Sequence, residues 1–162
     1  MSRLAHPAVQ RVQAALRAKG SRAEVIELAV TARTAEDAAR ALGVETGAIV
    51  KSLLFTIDGA PVMALIAGDR RCDTTALPAA FGRSGLVMRP DAARVREITG
   101  FVIGGVAPLG HPQPLPTAID DSLGRFETVY AAAGHPYCLF PTTMLELSLL
   151  TGGSVVKGIS VG

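Results

Sequence analysis

The nine residues from Ile49 to Ile57, IVKSLLFTI, run directly into Asp58-Gly59-Ala60-Pro61, and no other stretch constrains the fold as much. β-Branched and aromatic side chains closed by a tight-turn signal predict a strand entering a hairpin, with Val62 to Ala67 as the returning partner. Side chains alternate across a strand, so Ile49, Lys51, Leu53, Phe55 and Ile57 share one face. Val50, Ser52, Leu54 and Thr56 take the other. The single cation therefore falls on the more apolar face, where a charge is costly unless something pairs with it. A lysine there has two readings. Its stem packs while its ammonium reaches water, or the charge is kept for a partner.

Around this hairpin the spacing predicts a helix after Pro7, carried by Val9, Val12 and Leu16 and stopped by Gly20. A short strand follows over Val25 to Leu28, and Thr34 opens a second helix with Asp37 completing a capping box and Gly43 ending it. Small residues on that helix, Ala35, Ala38 and Ala39, allow close packing. Asp73 is expected to cap a helix reaching Ala80, Asp91 one from Ala92 to Thr99, and Pro141 with Thr142 to start the last. Short strands are expected at Leu86 to Met88, Phe101 to Ile103, Thr117 to Ile119, Val129 to Ala132, Tyr137 to Phe140 and Ser154 to Val161. Short strands interleaved with short helices and hairpins predict a mixed α/β fold on one compact, barrel-like sheet. A doubly wound parallel sheet would need longer, regular βα units. With 162 residues and no linker, repeat or low-complexity tract, residues 1–162 are expected to form one domain, with an N-terminal helix within residues 1–20.

Composition removes several function classes. Hydrophobic residues make up 49% of the chain, which argues against disorder. No apolar run approaches the ~20 residues that span a bilayer, and Met1 to Pro7 lacks a signal-type apolar core, so a soluble cytoplasmic protein without a membrane partner is expected. Cys72 and Cys138 form no CxxC pattern, and His6, His111 and His135 each precede a proline without metal-ligand spacing. No metal and no cofactor are therefore expected. The net charge is only +2, but six arginines between Arg70 and Arg96 face only Asp73 and Asp91. Such a cluster can meet phosphates or stand as a solvated surface.

The loop from Gly104 to Pro116 holds three glycines and four prolines, so it is bent but stiff. Glycines let a ligand approach the backbone and let neighbouring N–H groups converge, which is what an oxyanion or a phosphate requires. No Gly-Lys-Ser/Thr follows, so the loop is not a P-loop. His135 sits in Gly134-His135-Pro136, a turn between strands, where it can orient a hydroxyl or a water. Asp120 and Asp121 end a strand, and Asp121 is the expected cap of the next turn. No Gly-x-Ser-x-Gly or other nucleophile arrangement is declared by spacing.

Four stretches then occur in a telling order: Thr34 to Val44, Ile49 to Phe55 with its Val-Lys-Ser centre, Gly104 to Pro108, and Ala132 to His135. In this the chain resembles the YbaK-type family of aminoacyl-tRNA deacylases, which includes the editing domain inserted in bacterial prolyl-tRNA synthetases. The resemblance covers about residues 25–150. It implies that Lys51 is the essential lysine that holds the 3′-terminal nucleotide and the ester end of the substrate. Gly104, Gly105, Val106 and Pro108 match the Gly-x-x-x-Pro loop, whose backbone N–H groups contact the ester and position water. Asp120 falls where family members carry an acidic residue, and His135 looks like the histidine of the synthetase-inserted domain. Leu53 and Val106 are candidates for shaping the amino-acid pocket. The implied partner is the 3′ acceptor end of a mischarged tRNA, most of all a proline tRNA carrying a small non-cognate amino acid. Prolyl-tRNA synthetase or an elongation factor is a further implied partner. A non-catalytic tRNA-end or nucleotide-binding module, or a hydrolase of another small ester, are the competing readings.

Overall fold

The computed structural model describes residues 2–30 and 32–162. The hairpin forms as its sequence demands: β2 (Ile49–Ile57) pairs antiparallel with β3 (Ala60–Ala67) from Val50↔Ala67 to Ile57↔Ala60. Asp58 and Gly59 both take positive φ, 49° and 83°, the geometry of a two-residue turn that matches strand twist. Asp58 also accepts a hydrogen bond from the Leu86 N–H at 2.7 Å, which anchors β5 (Val87–Met88) beside the far end of β2.

The remaining strands of this sheet are β1 (Ile26–Glu27), β6 (Thr117–Asp120), β7 (Val129–His135), β8 (Cys138–Thr142) and β9 (Ser154–Val156). Among the described residues the sheet has eight strands in the order β1-β8-β7-β2-β3-β6-β9, with β5 set against β2 off that path. Pairs β2–β7, β3–β6 and β6–β9 are parallel and the rest antiparallel, so the sheet is mixed. A two-stranded sheet joins β4 (Arg71–Cys72) to β10 (Ser160–Val161). No helix is long and apolar enough to cross a membrane among the described residues.

Burial follows the side-chain alternation of β2. Val50 and Leu54 face a core that includes Met63 and Leu65 and is covered by Val9, Val12 and Leu16 of α1 (Pro7–Ala18). Phe55 and Ile57 face the opposite core, which holds Val62, Ile66 and Leu77 of α3 (Leu77–Ala80). Near the start of β2, Ala38 and Ala39 of α2 (Ala35–Leu42) meet Ile49 and Leu139. Small side chains let α2 lie close to the sheet. Its ends are set by the Thr34 hydroxyl, which accepts from the Asp37 N–H at 3.1 Å, and by left-handed Gly43.

Several expected elements are shifted. Phe101 to Ile103 is no strand: Phe101 is buried by the Thr99 turn after α4 (Ala92–Thr99), while Val102 and Ile103 are exposed. Asp73 holds a turn through Thr75 rather than capping α3 directly, and Leu77–Ala80 is all that becomes helical. Pro141 and Thr142 end β8, and Thr143 instead caps α5 (Met144–Thr151). The expected terminal strand is two strands, β9 and β10, pairing with different sheets.

The first half of the Gly/Pro loop is internal, with Gly105 to Leu109 buried, and the segment Pro112 to Pro114 is exposed. Val106, Ala107, Leu109 and Leu115 are buried in the main core. His111 pins the loop, with Nε2 donating to the Ala107 carbonyl at 2.8 Å and its ring edge-on to Phe101. Burial pushes the His111 pKa below the usual imidazole value and Arg11 adds to this, while the carbonyl bond opposes it. Below pH ~6.5 the unfolded chain thus binds a proton that the folded chain resists, so stability rises with pH through this window and falls on acidification. Urea unfolding at pH 7.5 and 5.5 should show a loss at the lower pH that is smaller in His111→Gln. Equal pH dependence in the two proteins would remove His111 from this role.

Candidate active site

The partners of β2 leave a gap. On the side away from β3, β7 pairs only at Ile49 and Val50, and β5 only at Thr56 and Ile57. The Gly68 N–H donates to the Ile49 carbonyl, so the odd-numbered residues of β2 bond to β3. By alternation, Ser52 and Leu54 direct their N–H and C=O groups into the gap. A cleft of about 430 Å³ opens there.

The cleft gathers Lys51 and Leu53 from β2, Gly104 and Val106 from the Gly/Pro loop, and His135 from the end of β7. Gly105, Pro108 and Asp120 do not line it. Gly105 lies beneath the surface, its N–H donating to the Val102 carbonyl at 3.0 Å, with its Cα against the Gly134–His135 backbone. Pro108 is buried and lines a second cavity of about 250 Å³ on the α1 side of the loop. Asp120 is 1% exposed, and its carboxylate accepts from the Ala67 and Ser122 N–H groups and the Ser122 hydroxyl. Asp120, not Asp121, caps the turn after β6, and it ties that turn to the end of β3.

Each lining group has a definite state. The Lys51 ammonium, half-buried, donates to the Arg70 carbonyl and has no carboxylate within ion-pair distance among the described residues. A carbonyl satisfies one of the three donors of an ammonium and leaves its charge unneutralised. The N–H groups of Gly104 and Val106 make no hydrogen bond among the described residues. Gly104 has φ 94°, so its amide plane is turned in a way a side chain would resist.

His135 closes the β7–β8 hairpin opposite Cys138, at a register shift in β7, so it belongs to a strand and not to a free turn. Its Nδ1 accepts from the Tyr137 N–H at 3.1 Å, which leaves the proton of the neutral ring on Nε2. Partial burial, then the nearby His6 and Arg3, hold its pKa below the usual value, against the pull of Glu27. His135 is thus a neutral Nε2–H group near neutral pH.

Two features escaped the sequence. The Ser52 hydroxyl oxygen is buried beside the cleft with no hydrogen-bond partner among the described residues. A serine on a strand carries no mark in the sequence that would set it apart. The other is Arg33, which together with Arg89 of the arginine run noted above, far from it in the chain, lines the cleft. Cys138 lines it as well, but burial pushes its thiol up to about 11, so it is no thiolate nucleophile at neutral pH. Among the described residues no three His, Cys, Asp or Glu side chains come together as metal ligands.

The model of the aminoacyl-tRNA editing domain family matches residues 29–149. The chain belongs to this family. The match spans every cleft residue named above and leaves α1, β1, β9 and β10 outside it. A crystal structure of a protein proposed as a trans-editing enzyme for prolyl tRNA synthetase superposes with a TM-score of 0.89 at 41% identity, covering 96% of this chain and 98% of that one. YwhH of Bacillus subtilis, itself uncharacterised, is 36% identical over 126 residues, 77% of this chain and 79% of YwhH. EbsC of Enterococcus faecalis, proposed as a Cys-tRNA(Pro)/Cys-tRNA(Cys) deacylase, is 30% identical over 102 residues, 62% of each chain. The editing-domain fold and the mixed sheet expected from the sequence are thus the same fold.

Proposed function

We propose that this chain is a trans-acting editing hydrolase that cleaves the ester of mischarged aminoacyl-tRNA, foremost a proline tRNA bearing a small non-cognate amino acid. The observation that carries the reading is the cleft at the open edge of β2. There an unneutralised lysine, a neutral histidine and two loop residues whose N–H groups make no hydrogen bond among the described residues line one space. Family membership and the likeness to a protein proposed to edit for prolyl tRNA synthetase support the same substrate class.

An aminoacyl ester is already activated, so positioning water and stabilising the oxyanion suffice without a covalent nucleophile. The Gly104 and Val106 N–H groups receive the charge that develops on the carbonyl oxygen when water adds to the ester carbon. Collapse of that intermediate breaks the carbon–oxygen bond, and the proton lost by the attacking water ends on the departing ribose oxygen, giving free amino acid and a tRNA with its 3′-hydroxyl restored. Lys51 holds phosphate or ribose oxygens of the terminal nucleotide, and His135 Nε2–H donates to the substrate or the attacking water. The buried Ser52 hydroxyl, costly while unpaired, gains a partner when a rotamer step turns it to a bound substrate. No metal enters the reaction.

Selectivity follows from space. A methylene is worth only ~1–3 kcal/mol, so a synthetase admits amino acids smaller than its own, and a second, smaller pocket removes them. Leu53 and Val106 border that pocket, and the chain works beside prolyl-tRNA synthetase or an elongation factor, with released or transferred tRNA as its substrate. Incubation with alanyl-, cysteinyl-, seryl- and prolyl-tRNA(Pro) should release at least one of the small amino acids much faster than proline. Binding of tRNA with no deacylation of any of them would make the chain a binding module. Hydrolysis of simple esters with indifference to tRNA would make it a different esterase.

A further inference from the structure

Most arginines of this chain are neutralised or held by groups of its own. Arg3, Arg17, Arg40, Arg94 and Arg125 pair with carboxylates. Arg70 is bound to the hydroxyl and carbonyl of Ser160, which fixes β10, and Arg11 donates to the Gly100 carbonyl. The arginine run between Arg70 and Arg96 is therefore not one surface. Within it, Arg89 lines the cleft and lies over the ring of Phe55, 5.1 Å from its centroid, with no hydrogen bond or ion pair among the described residues. Arg33, outside the run, also lines the cleft and makes no hydrogen bond or ion pair among the described residues. Both are exposed, and Glu36 is the one carboxylate beside them in the lining.

Their placement follows from the sheet. Arg33 immediately precedes Thr34, the cap of α2, which packs against the Ile49 end of β2. Arg89 immediately follows β5, which pairs with the Ile57 end. One free guanidinium thus stands at each end of the unpaired edge, with Lys51 between them. From Val50 to Thr56 a strand runs ~20 Å, longer than one phosphate group can bridge but within reach of a short single strand. A guanidinium is always charged and its fork matches phosphate oxygens, so two of them fix a strand at two points. A cleft of about 430 Å³ admits single nucleotides and not a duplex.

We propose that Arg33 and Arg89 form a two-point phosphate clamp that lays a single-stranded RNA end along the open edge of β2 and delivers its terminal ribose to Lys51. The clamp rests on the deacylase reading for the identity of that RNA, and its test uses uncharged tRNA so that the two can fail separately. Binding of uncharged tRNA(Pro), and of the same tRNA lacking its single-stranded 3′ end, is measured across a range of salt. Arg33→Ala and Arg89→Ala should each weaken binding of the intact tRNA about tenfold. Each should also lower the slope of log K against log salt by about 0.7, the double variant by twice that. Arg71→Ala and Arg96→Ala, exposed and outside the cleft, serve as controls and should match the wild type. Arg33→Lys and Arg89→Lys should keep the slope. Removing the 3′ end should abolish the difference between wild type and double variant. An unchanged slope in the double variant, or an equal loss on the truncated tRNA, would overturn the clamp. A wild type that shows the full clamp pattern yet releases no amino acid would overturn deacylation alone.

Discussion

Lys51→Ala is expected to lower deacylation of mischarged tRNA by about 10²-fold, the order of loss when the terminal ribose is no longer held in place against the reacting groups. The fold should survive the change. Lys51 sits half-buried on a β2 face whose other members, Ile49, Leu53, Phe55 and Ile57, are apolar, and among the described residues its only hydrogen bond is to the Arg70 carbonyl. Removing it leaves no buried charge behind, and the carbonyl it frees belongs to half-buried Arg70, next to exposed Asp69 in the connection beyond β3. Lys51→Arg keeps the charge but replaces a compact ammonium by a planar fork on a longer stem, so it should recover binding of uncharged tRNA and little of the turnover. Single-turnover rates beside urea unfolding curves separate the two effects. A folded Lys51→Ala protein that deacylates at the wild-type rate would remove this lysine from the chemistry.

The visibility of Lys51 in the sequence, against that of its neighbours, shows what kind of signal a chain transmits. Period-two alternation is enforced by geometry, so a lysine among Ile49, Leu53, Phe55 and Ile57 breaks a pattern and can be found by counting. The hairpin was equally legible, because Asp58-Gly59 supplies the two positive φ values its turn needs. Ser52 breaks no pattern, since a hydroxyl is tolerated on either face. It acquires meaning only when the pairing of β2 shows that nothing bonds to it. Arg33 and Arg89 lie 56 positions apart, and only the sheet, by attaching one to each end of the β2 edge, brings them to one cleft. Asp120 illustrates the opposite case. The family resemblance makes it a site candidate, and its buried carboxylate already accepts from the Ala67 N–H and from the Ser122 N–H and hydroxyl. Phe101 to Ile103 likewise has the composition of a strand, yet it pairs with no strand among the described residues, and tertiary context overrides local propensity.

Gly105→Ala should be the most damaging single-carbon change near the cleft, even though Gly105 does not line it. A Cβ at this position would stand 2.8 Å from the His135 nitrogen and 2.9 Å from the Gly134 carbonyl carbon. Both are backbone atoms, so no side chain can swing aside. Gly134 cannot retreat either, because its own Cα lies against Ala8 of α1, where an added Cβ would be 2.7 Å from the Ala8 carbonyl oxygen. The loop must move instead, carrying the Gly104 and Val106 N–H groups away from His135. Overpacking of this kind costs about 1–3 kcal/mol of stability, and a displacement near 1 Å in the groups that position a reactant costs about 10²-fold in rate. Gly104→Ala makes the informative contrast. Its φ of 94° strains any side chain, but the added carbon would touch only the Pro136 ring, at 3.4 Å. It should lose stability comparably while retaining more of the deacylation rate, because the loop and the hairpin keep their separation. If Gly105→Ala keeps both wild-type stability and wild-type turnover, the loop and the β7–β8 hairpin do not set the reacting geometry through this contact. If it keeps stability but loses turnover, the close approach of two backbones, rather than any side chain, fixes the distance between the oxyanion donors and His135.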